Sequence, residues 1–315
     1  MRILYFIADG DYVSHYYARM LAGALHSLGG ELEVVCPAGA GVAALGGLTF
    51  SSQAMHARLR QQDYQLVFAG NSGLALWLKL FASSPVFMLA QGHTGGLIRR
   101  AGIEVIGLDW FHFGRSVLPP LLDTLSEARS SDYDVCLALP HQPLEKIIRY
   151  QAGGAPKVCC HPEVTGMHRI GALTLLPWQH WPAALRQSRT VLSEGQLSVV
   201  AEALHCGIGL TLLNQGQGRV SCHSRLLVEL ELASRLARLS EPFVPPAIKP
   251  GAQLPRVHYP RVANALMHWL LAGQPVSLAT LARQLWRQVL FAEWADEHLH
   301  ELVADDDMQC GGLLR

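Results

Sequence analysis

Short, β-branched apolar runs alternate along this chain with segments whose apolar residues recur at helical spacing, and the pattern is written twice. RILYFIA, ELEVVCP, QLVFAG, PVFMLAQ and IEVIGL read as strands. Between them, SHYYARMLAGALHSLGG, stopped by a glycine pair, and SGLALWLKLFASS read as helices. Strand–helix alternation of this kind makes a mainly parallel sheet with crossover helices. FGRSVLPP, ending at Pro119 and Pro120, reads as a linker, after which the same grammar restarts. YDVCLALP, PKVCCHP, ALTLLP, RTVLSE and GIGLTLLNQ are the second set of strands. PLEKIIRYQ, WPAALRQS, LSVVAEALHC and HSRLLVELELASRL are the helices among them. Two α/β domains follow, over 1–118 and 121–240. Beyond lie a proline-rich connector, EPFVPPAIKPGAQLP, two further helical patterns and an acidic tail, together 241–315.

Size and composition agree with this division. A chain of 315 residues accommodates two domains of about 150 residues each. Half of the residues are hydrophobic and only 16% are charged, which favours sheets covered by helices. The 25 basic and 25 acidic side chains cancel, so no general attraction to nucleic acid or to an anionic membrane is implied. Seven cysteines, mostly inside apolar runs, read as reduced thiols of a cytoplasmic protein. MRILYFIADG is too short for a signal-peptide core, and no apolar run reaches the ~20 residues that span a bilayer. Peripheral contact with a membrane surface is left open.

Several chemistries lack their motif. There is no G-x-x-x-x-G-K-[ST], so a P-loop hydrolase is not expected, and without G-x-S-x-G a hydrolase triad has no anchor. GAGVAALGG (39–47) follows the second strand with the wrong spacing for a dinucleotide fingerprint and reads as a surface loop. CCHPEVTGMH (159–168) gathers two thiols and two imidazoles, but adjacent strand residues point to opposite faces, so no metal site is expected there.

One stretch carries chemistry: SEGQLSVVAEALHCGIGL, from Ser193 to Leu210. Leu197, Val200, Ala201 and Leu204 fall at i, i+3, i+4 and i+7, one buried helix face, and Gly207 follows as the stop. The helix opens at the carboxyl end of RTVLSE, the sheet edge where open α/β sheets bind ligands. Its N–H groups and dipole favour a phosphate, and Gly195 lets a ligand approach the backbone. Glu202 falls off the apolar face, either to reach ligand hydroxyls or to lie in solvent.

TVLSEGQLSVVAEALHCGIGLTLLNQGQG resembles the donor-binding region of GT-B glycosyltransferases, in the branch similar to the peptidoglycan enzyme MurG; AEALHCG (201–207) carries the likeness. GDYVSHYYARMLAGALHSLGGELEVVCP is similar to the opening of that family. The resemblance implies two Rossmann-like domains facing across a cleft, with extra C-terminal helices. It implies metal-independent transfer of a hexosyl or N-acetylhexosaminyl group from a nucleotide-sugar, a UDP-sugar being expected, to an acceptor the sequence does not name. By the same resemblance Glu202 holds the ribose, while Glu194, Gly195, Gln196 and Ser198 face the diphosphate. Leu176 and Pro177 meet the base, and Gln215 and Gln217 lie near the sugar. His15 acts as the base of an inverting displacement, with Asp11, Arg19, Asn71 and His93 on the acceptor side. His141 would lie near the phosphates. The glycine of the family pattern stands one position early, at Gly195, and its proline is replaced by Gly209. An epimerase or hydrolase on the same fold, and a catalytically degenerate nucleotide-sugar- or partner-binding protein, remain alternatives.

Overall fold

The structure, a computed structural model, describes residues 2–7, 12–36, 48–49, 59, 64–91, 98, 100–110, 116–122, 132–150, 156–213, 227–236, 239 and 256–289. It divides into two compact units. The first comprises Met1–Thr124 with Tyr259–Gln288, and the second is built on Leu125–His258.

Among the described residues, the first unit holds seven parallel strands: β1 (Arg2–Phe6), β2 (Glu31–Cys36), β3 (Leu48–Thr49), β4 (Leu66–Ala69), β5 (Val86–Gln91), β6 (Glu104–Leu108) and β7 (Val117–Leu118). Their order is β3-β2-β1-β4-β5-β6-β7. Strands buried on both faces must be apolar throughout, and β4 is: all four residues are buried. Leu4, Phe6, Val67, Val86, Met88 and Val105 form one side of the core, with Ala75 and Leu78 of α2 (Ser72–Phe81) packed on it. Asn71 caps that helix, its side chain accepting from the Leu74 N–H at 2.9 Å. The expected first helix is α1 (Tyr12–His26).

The described residues of the second unit also form seven strands: β8 (Tyr133–Ala138), β9 (Lys157–His161), β10 (His168–Ile170), β11 (Leu173–Pro177), β12 (Ser188–Ser193), β13 (Gly209–Leu213) and β14 (Ala233–Leu236). The order is β10-β11-β9-β8-β12-β13-β14, parallel except for the β10–β11 hairpin. Helices α3 (Leu144–Arg149), α4 (Trp181–Arg186) and α5 (Leu197–Cys206) connect them. α6 (Val262–Leu271) packs on α1, and α7 (Leu278–Trp286) packs on β7, where Trp286 Nε1 donates to the Val117 carbonyl at 2.6 Å. The described residues contain no helix long and apolar enough to cross a membrane.

Two sequence expectations are corrected. Val117–Leu118, read as linker, pairs with β6, and Pro119 and Pro120 are buried. HSRLLVELELASRL is not one helix: Glu231 turns the chain at φ 56° and Ala233–Leu236 pairs with β13. The Thr211 and Ser234 hydroxyls meet at 2.7 Å across that pairing. His168, which ends the thiol–imidazole stretch, begins a short strand, His168–Ile170, with all three residues exposed.

Gly207 ends α5 as expected, at φ 60°. A Cβ there would lie 2.7 Å from Arg256 Cγ. Gly207→Ala is therefore expected to destabilise the second unit by about 1–2 kcal/mol from the left-handed backbone alone, with the Arg256 displacement added. A urea midpoint unchanged from wild type would refute this.

Candidate functional site

Each sheet has a point where the strand order reverses, and there the connections leave in opposite directions and open a crevice at the carboxyl ends of the strands. In the second unit the reversal falls between β8 and β12. The chain leaves β8 through Leu139–Pro143 and leaves β12 through Glu194–Gln196.

These two connections are joined by one carboxylate. Glu194 has a side chain only 1% exposed. Its Oε2 accepts from the His141 ring Nδ1 at 2.8 Å, the His141 backbone N–H at 3.3 Å and Gln196 Nε2 at 2.9 Å. Its Oε1 accepts from Gln142 Nε2 at 3.0 Å. A buried carboxylate is tolerable when donors of this kind satisfy it. The donors have supports of their own. The Ser193 hydroxyl donates to Gln196 Oε1 at 2.8 Å, which fixes the amide so that its nitrogen faces Glu194. His161, at the end of β9, donates from Nε2 to the Gln142 carbonyl at 2.9 Å while its Nδ1 accepts from the Glu163 N–H at 3.3 Å. Gln142 N–H also donates to the Leu139 carbonyl at 3.2 Å, closing the turn.

Gly195 takes φ 87°, and Gln196, the N-cap of α5, makes no side-chain cap bond. Ser198 is buried in the first turn. Leu176 is half-buried on β11, and Pro177 is buried at its end.

Glu202 lies elsewhere than in solvent. It is 0% exposed, and Arg186 Nε donates to its Oε1 at 2.7 Å while Nη2 of the same guanidinium contacts the same oxygen. Arg186 is the last residue of α4, so the pair ties α4 to α5. Further along, His205 Nδ1 donates to the Val257 carbonyl at 3.0 Å, and Val257 N–H donates to the Leu204 carbonyl at 3.1 Å. Burial pushes the His205 pKa down, the Val257 bond opposes this, and His258, Arg186 and Arg256 add to it.

In the first unit the reversal lies between β1 and β4. His15, half-buried in the first turn of α1, and Asn71, exposed at the start of α2, follow those two strands. Arg19 is exposed one turn beyond His15. Asp11, His93, Gln215 and Gln217 lie outside the described residues.

A second buried acid stands just after β6. Asp109 is 0% exposed, and its Oδ1 accepts from the Trp110 N–H at 2.8 Å. Burial lifts its pKa from 3.8 to about 7 against that hydrogen bond. The Tyr259 hydroxyl donates to the Trp110 carbonyl at 2.8 Å, and burial, then the nearby Asp109 charge, push the phenol well above its ordinary value.

The sequence reading does not single out Arg186, and takes His161 only as part of the thiol–imidazole stretch. Each had a signal: a histidine closing a buried apolar strand, and an arginine ending an otherwise apolar helix one strand before an apolar helix holding an acid.

No protein-family model matches the sequence, and no curated protein is significantly similar to it. Solved structures are similar across nearly the whole chain. SnogD, a glycosyltransferase from Streptomyces nogalater, is 16% identical with a TM-score of 0.53, covering 91% of this chain and 99% of its own. SsfS6, a glycosyltransferase from Streptomyces sp. SF2575, is 12% identical with a TM-score of 0.53 in its thymidine diphosphate complex, covering 90% and 94%. The spinosyn forosaminyltransferase SpnP is 12% identical at a TM-score of 0.51, covering 96% and 99%. With two parallel α/β units and these neighbours, the chain has the GT-B fold of glycosyltransferases.

Proposed function

We propose that this chain is a glycosyltransferase that takes a nucleotide-sugar, with the nucleoside diphosphate seated in the second unit where β12 passes into α5. The observation that carries this reading is local: at the sheet's reversal point, a helix without a side-chain cap opens behind a glycine at φ 87°. Such a terminus presents backbone N–H groups and positive dipole to a phosphate. SsfS6 in its thymidine diphosphate complex supports a nucleoside diphosphate as the ligand class. A UDP-sugar is the proposed donor, and the sugar is of hexosyl or N-acetylhexosaminyl type.

Leu176 and Pro177, ending β11, are assigned to the base, and Gly195, Gln196 and Ser198 to the diphosphate. Gln215 and Gln217 are assigned to the sugar. His15 is the proposed general base, since an imidazole with its ordinary pKa near ~6.5 deprotonates an acceptor hydroxyl at working pH. Asp11, Arg19, Asn71 and His93 are assigned to the acceptor. A single displacement with His15 as base inverts the anomeric centre. The leaving diphosphate is then stabilised by the dipole and donors at α5.

A thermal-shift panel with UDP, dTDP, GDP and CMP, each alone and with matched sugars, tests the reading. A ligand at 100 times its Kd stabilises by about 2.7 kcal/mol, so the matching series is expected to raise Tm by several degrees. No shift with any nucleotide would favour a degenerate, partner-binding protein. A shift without transfer to any acceptor, but with turnover of the nucleotide-sugar itself, would favour an epimerase or hydrolase.

A further inference from the structure

We propose that Glu194 is a built-in occupant of an anion seat, so that an anionic ligand enters the second unit's reversal point only by displacing this carboxylate. The inference rests on the nucleotide-sugar reading for the identity of the ligand, but the seat itself is a property of the donors around Glu194.

Those donors are the kind that hold phosphate oxygens: two side-chain amides, an imidazole nitrogen and a backbone N–H converge on one carboxylate. They come from the two connections that flank the reversal of strand order, where ligands of open α/β sheets bind. Part of the set has supports that do not involve Glu194. Ser193 fixes the Gln196 amide, His161 fixes the Gln142 carbonyl, and the Leu139 carbonyl fixes the Gln142 N–H. Removing the carboxylate therefore leaves the Gln196 amide and the Gln142 backbone with their supports, and the donors without their anion.

The position of Glu194 suits it to leave. It follows the last residue of β12 and precedes Gly195 at φ 87°, so it belongs to neither the strand nor the helix. Its swing is a loop rearrangement that leaves the β8–β12 pairing and the buried face of α5 in place. While seated, its negative charge opposes a second anion at the same donors. Affinity for a diphosphate is thus set by a competition inside the chain, and Glu194 controls how readily the site accepts charge.

The test uses the full chain and two variants, Glu194→Ala, which empties the seat, and Glu194→Gln, which keeps the shape and removes the charge. Inorganic pyrophosphate and UDP are titrated calorimetrically into each, with circular dichroism to check folding. Pyrophosphate is expected to bind Glu194→Ala at least tenfold more tightly than wild type, and Glu194→Gln more tightly in the same sense. Pyrophosphate affinities that are equal in wild type and both variants, or weaker in the variants, would overturn the proposal. Tightened pyrophosphate binding with no nucleotide bound by any form would keep the seat and remove the nucleotide-sugar reading. UDP binding wild type and variants alike, with pyrophosphate affinity also unchanged, would do the reverse.

Discussion

Glu202→Ala is expected to destabilise the second unit by about 3–5 kcal/mol, because it leaves the Arg186 guanidinium buried without its carboxylate. The estimate follows from burial: Glu202 is 0% and Arg186 8% exposed, so solvent cannot take over either charge. Replacing both partners with apolar residues of similar size, Arg186→Met with Glu202→Leu, is expected to restore most of the loss, since it removes two desolvated charges together. Urea unfolding followed by tryptophan fluorescence, to which Trp178 and the first residue of α4, Trp181, contribute with ring centroids 6.1 Å apart, reads both effects. A single variant within 1 kcal/mol of wild type would refute the buried-pair account. The same experiment bears on function. A Glu202 that held ribose hydroxyls would lose nucleotide affinity by ~1.5–3 kcal/mol with the fold intact. The buried pair instead ties the larger effect to folding.

Asp109→Asn is expected to stabilise the first unit above neutral pH and to have little effect near pH 4. The sign follows from proton counts. Between the ordinary aspartate value of 3.8 and the raised value of about 7, the unfolded chain has released the Asp109 proton while the folded chain keeps it. Stability therefore falls as pH rises through that window, by up to about 1.4 kcal/mol per pH unit, and this contribution levels off above the folded value. Asparagine keeps an oxygen for the Trp110 N–H and carries no charge, so the variant loses the slope. Denaturant unfolding of wild type and variant at intervals from pH 4.5 to 8.5 gives the difference directly. Parallel curves for the two proteins would show that Asp109 does not titrate in this window. His205 works in the opposite direction. Its lowered folded pKa means that stability is lost as pH falls below the ordinary imidazole range, so on the acid side of neutrality the two groups oppose one another.

Much of the architecture was legible because local pattern and long-range burial agree. Strands such as β1, β4 and β13 lie inside parallel sheets, and their continuous apolar runs say so. Gly207 as a stop is also a local statement, and it holds. β14 was misread because Leu227, Leu230 and Ala233 satisfy a helical spacing as well as a turn and a strand. Only the neighbouring β13 decides between them. β7 pairs through two residues, too few to leave a pattern. The site was legible as a place and not as a set of contacts. The β12–α5 turn could be named, but its bond to His141 and Gln142 depends on β8 and β12 lying side by side, which no window of sequence records. For the same reason Glu202 could be placed on a helix but not matched with Arg186.

The return of Tyr259–Gln288 to the first unit delays that unit's completion until the second sheet has been made. A chain emerging from a ribosome makes the sheet strands β1–β7 first, yet α6, which packs on α1, and α7, which packs on β7, appear after β14. The unit begun earliest thus cannot be completed until β8–β14 have been made, and α1 and β7 wait uncovered while the later sheet assembles. Nascent chains arrested before Tyr259 should consequently expose the α1 and β7 surfaces to chaperones, whereas arrest after Gln288 should hide them.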